Sequence, residues 1–164
     1  MEPHKERLRK IATSFGWTWY RMRRLIDAHL SAHGASMARL KLLAFLAEQP
    51  RRSIDIASFF DHAPRTVTQA IDWLEQNGLV LRAPVPGDRR AKLVQITEAG
   101  RAMLERGLPL YDGIVASTFG SLTEEERAGL DAAILHLDGI VDQLEDEAGF
   151  RRGCLVPPRP EDHG

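Results

Sequence analysis

Cysteine is nearly missing from this chain of 164 residues. Cys154 stands alone, which excludes an internal disulfide framework and a four-cysteine zinc site. Long apolar runs are missing too: the longest, Leu42 to Ala47, is six residues, where a membrane helix needs ~20. The first ten residues are too charged for a secretory leader, so the chain is expected to stay in the cytoplasm, with no membrane partner. The signatures GxSxG, GxGxxG and HExxH are also absent, which removes the usual nucleophile elbow, dinucleotide loop and paired zinc histidines. The expectation is a protein that is not an enzyme and needs no cofactor.

Net charge is close to absent, at −1, but its distribution is uneven. Residues 1–97 carry sixteen Lys/Arg against nine Asp/Glu, and residues 98–147 carry three against twelve. A basic half joined to an acidic half suits one surface facing a polyanion, and it equally suits ordinary solvated helix faces. With 43% hydrophobic residues, the length allows one core and no second independent one, so residues 1–147 read as a single domain and 148–164 as a loose tail. The run Pro157-Pro158-Arg159-Pro160 in that tail cannot be helical.

Along the chain, Leu8, Ile11, Phe15, Met22, Ile26 and Leu30, with Trp19 nearby, recur at helical spacing over 4–32. Gly34 ends that helix, and Ser36 can cap a second one carrying Leu40, Leu43 and Leu46. Ser53 suits the cap of a short helix with Ile54, Ala57 and Phe60 inward. Asp61-His62-Ala63 has turn chemistry, and Pro64 suits the first position of a fourth helix carrying Val67, Ile71 and Leu74, which stops at Asn77-Gly78. Leu79–Ala83 and Ala91–Thr97 are β-rich segments bracketing Pro84-Val85-Pro86-Gly87-Asp88-Arg89-Arg90, which can form a hairpin with an exposed basic tip. Thr97 opens a fifth helix in which Gly107 and Pro109 predict a bend, and Thr123 with Glu126 forms the capping box of a sixth, striped by Leu130, Ile134, Leu137, Val141 and Leu144. The fold class is mainly α with a small β-wing, a winged helix-turn-helix over 36–97 flanked by helical segments.

The helix from Pro64 is anchored by one face, which leaves Arg65, Thr66, Thr68 and Gln69 free near its N-terminus. There, arginine pairs with guanine, glutamine with adenine, and helix amides with phosphate. An ordinary polar surface helix fits that segment equally well. The hairpin tip shifts the balance: Arg89, Arg90 and Lys92 beside Asp88 suit the narrow minor groove, although charges on a hairpin also serve to keep an edge strand soluble.

The stretches MARLKLLAFL at 37–46, PRTVTQAIDWLEQNGLV at 64–80, GDRRAKLVQITEAGR at 87–101 and LTEEER at 122–127 resemble the MarR (multiple antibiotic resistance regulator) family of transcriptional regulators, in order and spacing over residues 4–147. The resemblance implies that Asp88 holds Arg90, that Arg90 reaches the minor groove, and that Arg65, Thr66, Thr68 and Gln69 face the major groove of double-stranded DNA. It implies a homodimer in which the segments 4–32 and 98–147 intertwine, a pseudo-palindromic operator, and repression as the usual mode. It also implies a small-molecule effector, often aromatic, in a crevice whose lining here would include Trp17, Trp19, Tyr20, His29, His33, Met37 and Arg39. Aromatic and Met residues at helical spacing serve as core or dimer contacts too. His29 and His33 share the spacing of two metal ligands but have no clear third, and Cys154 lies in the tail, so no metal site is expected and a bystander thiol is the simpler reading. The rival functions are a winged helix used only for protein contact and a nonspecific DNA binder.

Overall fold

The computed structural model describes residues 2–60, 62–85 and 88–149. In order these form α1 (Glu2–Ser31), α2 (Met37–Glu48), β1 (Arg51–Arg52), α3 (Ser53–Phe59), α4 (Pro64–Gln76), β2 (Val80–Val85), β3 (Asp88–Ile96), α5 (Glu98–Phe119) and α6 (Glu124–Ala148). The fold is mostly helical with one small antiparallel sheet of order β1-β3-β2.

The corner between α1 and α2 shows how local chemistry sets the path. Gly34 takes φ +73, a left-handed conformation that glycine adopts without a Cβ penalty. The amides of Gly34 and Ala35 return to the carbonyls of Ser31 and Leu30. Ser36 caps α2 by accepting from the Arg39 amide, and the Asp27 carboxylate accepts from the Met37 amide at 2.9 Å. The start of α2 is thereby bound to the last turns of α1. Ile26, Leu30, Ala35, Leu40 and Ile114 make the small core under this corner.

The larger core lies beneath α4. Val67, Ile71 and Leu74 are buried against Leu43, Leu46, Ile56, Val80 and Val94, and Pro64 sits in the first turn of α4 as expected. The short helix before it departs from the expected pattern. Arg52, not Ser53, is its N-cap, and the Arg52 amide donates to Asp55. Ile56 and Ala57 turn inward, while Ile54 is 61% exposed. The cause is β1, which sequence reasoning did not foresee: Arg51 and Arg52 pair with Val94 and Leu93 of β3, so the chain leaves the sheet directly into Ser53 and the phase of α3 is set from there.

Helix α5 begins at Thr97, whose hydroxyl accepts from the Gly100 amide and donates to the Gly78 carbonyl at 2.7 Å. It continues unbroken through Pro109. Two buried glycines let it approach its neighbours. A Cβ at Gly100 would collide with the Leu79 carbonyl oxygen, which is backbone, whereas one at Gly107 would meet the tip of the Leu40 side chain at 2.6 Å. Leu40 can shift and the Leu79 carbonyl cannot, so Gly100→Ala is expected to cost about 1–3 kcal/mol and Gly107→Ala less. Urea unfolding of the two variants side by side checks this, and the reverse order would mean that the wing root yields more easily than the α2–α5 crossing.

Helix α6 opens on the expected capping box: Thr123 and Glu126 exchange hydrogen bonds, and the Thr123 backbone amide, followed by its hydroxyl, holds the Glu126 carboxyl below its ordinary pKa. No residue of α6 is buried. Its stripe of Leu130, Ile134, Leu137, Val141 and Leu144 lies open, as do Leu8, Ile11 and Phe15 on α1. No helix among the described residues is long and apolar enough to cross a membrane.

Candidate nucleic-acid interface

Helix α4 presents Arg65, Thr66, Thr68 and Gln69 to solvent while Val67, Ile71 and Leu74 hold its other face. The expected contact residues therefore share one exposed surface. Its N-cap is Ala63, which makes no side-chain cap hydrogen bond, so no capping side chain competes with an incoming phosphate for the first amides. Thr68 donates its hydroxyl proton to the Pro64 carbonyl at 2.8 Å. Its oxygen keeps lone pairs and faces outward as an acceptor.

Beside α4 stands the β2–β3 hairpin, registered from Val80↔Ile96 to Val85↔Asp88 with an irregularity at Pro84/Val85. Lys92 is exposed on β3. The backbone of Asp88, Arg89 and Arg90 opens β3, but their side chains, and the expected Asp88–Arg90 pairing, lie outside what is described.

Two arginines that the motif reading did not place here brace α4. Arg82 on β2 forms ion pairs with Asp72 and Glu75 of α4. Partial burial disfavours its charged form, but the hydrogen bonds and charges of the two carboxylates outweigh that cost, and its pKa stands above the ordinary arginine value. Arg39 of α2, expected in a ligand crevice, lies over the Trp73 ring with its guanidinium carbon 3.4 Å from the centroid. The Asp72/Glu75 spacing on one helix was visible in the sequence, but nothing local tied it to Arg82 or Arg39.

The remaining effector candidates fall into three groups. Trp17 and Tyr20 are exposed on α1, with ring centroids 5.3 Å apart and Arg24 over the Tyr20 ring at 5.9 Å; Trp19 is exposed beside them. Met37 packs in the corner core near Arg39. His29 and His33 are exposed at the end of α1, each with Nδ1 within hydrogen-bond distance of a carbonyl one turn back, Leu25 at 3.0 Å and His29 at 3.2 Å. No group of three or more metal-binding side chains occurs among the described residues. Cys154 and the tail lie outside them.

The profile described as MarR family matches residues 35–92 of the chain, the stretch from the α1–α2 corner into β3. Over 123 residues, 68% of this chain and 83% of the relative, the chain is 31% identical to the HTH-type transcriptional regulator MhqR of Bacillus subtilis. Over 84 residues, 51% of each chain, it is 34% identical to the HTH-type transcriptional repressor NicR of Pseudomonas putida. A cysteine-to-serine mutant of MarR from E. coli, solved in complex with operator DNA, superposes with a TM-score of 0.68 at 22% identity, covering 78% of this chain and 93% of that one. At that identity the likeness is one of fold.

Proposed function

The chain belongs to the MarR family of DNA-binding transcriptional regulators, and we propose that it acts in the cytoplasm as a homodimeric repressor that reads a pseudo-palindromic operator and is released by a small aromatic ligand. The observation that carries this reading is α4, buried along one stripe and open along the other, with Arg65, Thr66 and Gln69 beside an N-terminus that no side chain caps. An anchored helix of that kind can lie in the major groove without losing its own core contacts.

The hairpin would extend the footprint to the minor groove through Arg90, with Asp88 orienting it and Arg89 and Lys92 adding phosphate contacts. The exposed stripes of α1 and α6 suit a second copy of the chain, which would place two recognition helices about one DNA turn apart, ~34 Å. Blocking of a promoter follows from such a complex, and NicR is named a repressor. For the ligand, Trp17, Tyr20, His29, His33, Met37 and Arg39 are proposed to line a crevice that α1 shares with the DNA-binding lobe.

The test is selection of DNA from a random pool by the purified protein at several salt concentrations. A palindromic consensus whose binding weakens with salt is the expected result. On that consensus, Arg65→Ala is expected to cost about 1–3 kcal/mol and to relax one base preference per half-site, while Arg90→Ala weakens binding chiefly through the flanking minor groove. Absence of enrichment overturns the reading in favour of a protein-contact or nonspecific role.

A further inference from the structure

A helix docked through a single apolar stripe is well fixed against lifting off but poorly fixed against rolling about its own axis. In α4 the fully buried stripe is Val67, Ile71 and Leu74, with Trp73 only partly buried against the same core at its edge. At ~3.6 residues per turn, Trp73 and the Asp72/Glu75 pair fall on opposite flanks of that stripe. Each flank carries an arginine from another element: Arg82 of β2 on Asp72 and Glu75, Arg39 of α2 on Trp73. Gln69 and Thr66 lie one and two turns before Trp73 along the same flank, so the Arg39 contact adjoins the expected DNA face.

Arg39 differs from Arg82 in what stands behind it. The Arg39 amide donates to Ser36, the cap of α2, and its Nη1 donates to the carbonyl of Gly34 at 3.4 Å. That corner is fastened to α1 by the Asp27 carboxylate on the Met37 amide. The connection from α1 through the corner and Arg39 to the Trp73 ring is therefore continuous. It joins the helix with an unpartnered apolar stripe to the helix that faces DNA. The contact is only half-buried, so it adds little to the core; what it restricts is the angle of α4 relative to α1.

We propose that Arg39 is a positioning residue for operator reading: stacked on Trp73, it fixes the roll of α4 against α1, and in the dimer it thereby sets the half-site spacing that the two recognition helices accept. This rests on the dimeric DNA-binding function proposed above. A planar guanidinium can lie flat on an indole while still donating to Gly34, whereas a lysine ammonium cannot do both with the same geometry.

The experiment measures binding to duplexes carrying the selected half-sites at the optimal spacing and at spacings one or two base pairs longer and shorter. Wild type is compared with Arg39→Ala and Arg39→Lys, with a duplex holding one half-site and the melting temperature as controls. The expected result for Arg39→Ala is a loss of about tenfold at the optimal spacing, a much smaller change at the other spacings and on the single half-site, and little change in melting temperature. Arg39→Lys, which keeps the charge without the planar stack, is expected to flatten the spacing profile in the same direction and serves if the alanine variant does not fold. An unchanged profile, or equal loss at every spacing and on the single half-site, overturns the inference. If wild type itself shows no preferred spacing, the dimeric operator reading fails first, and this inference with it.

Discussion

Replacing Ile71 with alanine is expected to lower the unfolding free energy by about 2–5 kcal/mol, the range for truncating a buried branched aliphatic side chain. Ile71 has 0% of its surface exposed and sits midway along the buried stripe of α4, between Val67 and Leu74. The neighbouring elements close around it from α2, α3 and the sheet, so little can collapse into the space left behind. Loss on this scale is a large part of the total stability of a domain of this size. Operator binding should fall with it if α4 is the recognition helix, as proposed above. Urea unfolding monitored by circular dichroism gives the number. A loss below about 1 kcal/mol would mean that the site relaxes around the smaller side chain, well short of the cost expected of a tightly packed core.

The double substitution Leu137→Glu and Val141→Glu is expected to convert the proposed dimer, with about twice the 18.4 kDa chain mass, to a monomer. Both positions are exposed in the single chain and belong to the apolar stripe of α6, which has no buried residue of its own. Charging them therefore leaves both cores intact and acts on association alone. The effect is enlarged by sign: residues 98–147 already carry twelve Asp/Glu against three Lys/Arg, so further glutamates add repulsion to lost apolar burial. Loss of bivalency should weaken operator binding by about 10²-fold or more, while the melting transition of the winged-helix lobe persists. Gln143→Glu, which adds one negative charge on the opposite side of α6, is the control and should remain dimeric. Light scattering decides the matter. A double variant that still has twice the chain mass would place the dimer contact elsewhere.

Much of the architecture was readable because its determinants are close in sequence. Ser36, Thr97 and the Thr123/Glu126 box all cap the helices assigned to them, since a cap joins a side chain to an amide two or three residues on. Pro64 and the Val67-Ile71-Leu74 stripe follow from backbone sterics and helical period. The short helix α3 was misread at its start and at Ile54, although Ala57 and Phe60 do face the core as expected, because seven residues hold too few turns for periodicity to outweigh the pairing of Arg51 and Arg52 with β3.

The exposed row Arg65, Thr66, Thr68 and Gln69 was legible in the same way, as the complement of the buried stripe. Its bracing was not. Arg82 meets Asp72 across ten positions and Arg39 meets Trp73 across more, and in the sequence those arginines are indistinguishable from the other cations of a basic half.

The sequence by itself determined the longer helices, the caps of α2, α5 and α6, the hairpin and the outward row of α4, because each depends on hydrogen bonds and apolar spacing within about one or two turns of chain. Only the tertiary structure decided that a third strand joins the hairpin, that α3 is turned to bury Ile56, and that two arginines from separate elements flank α4. Those contacts join segments brought together by burial of the shared core, and no local pattern encodes which distant partner burial will supply.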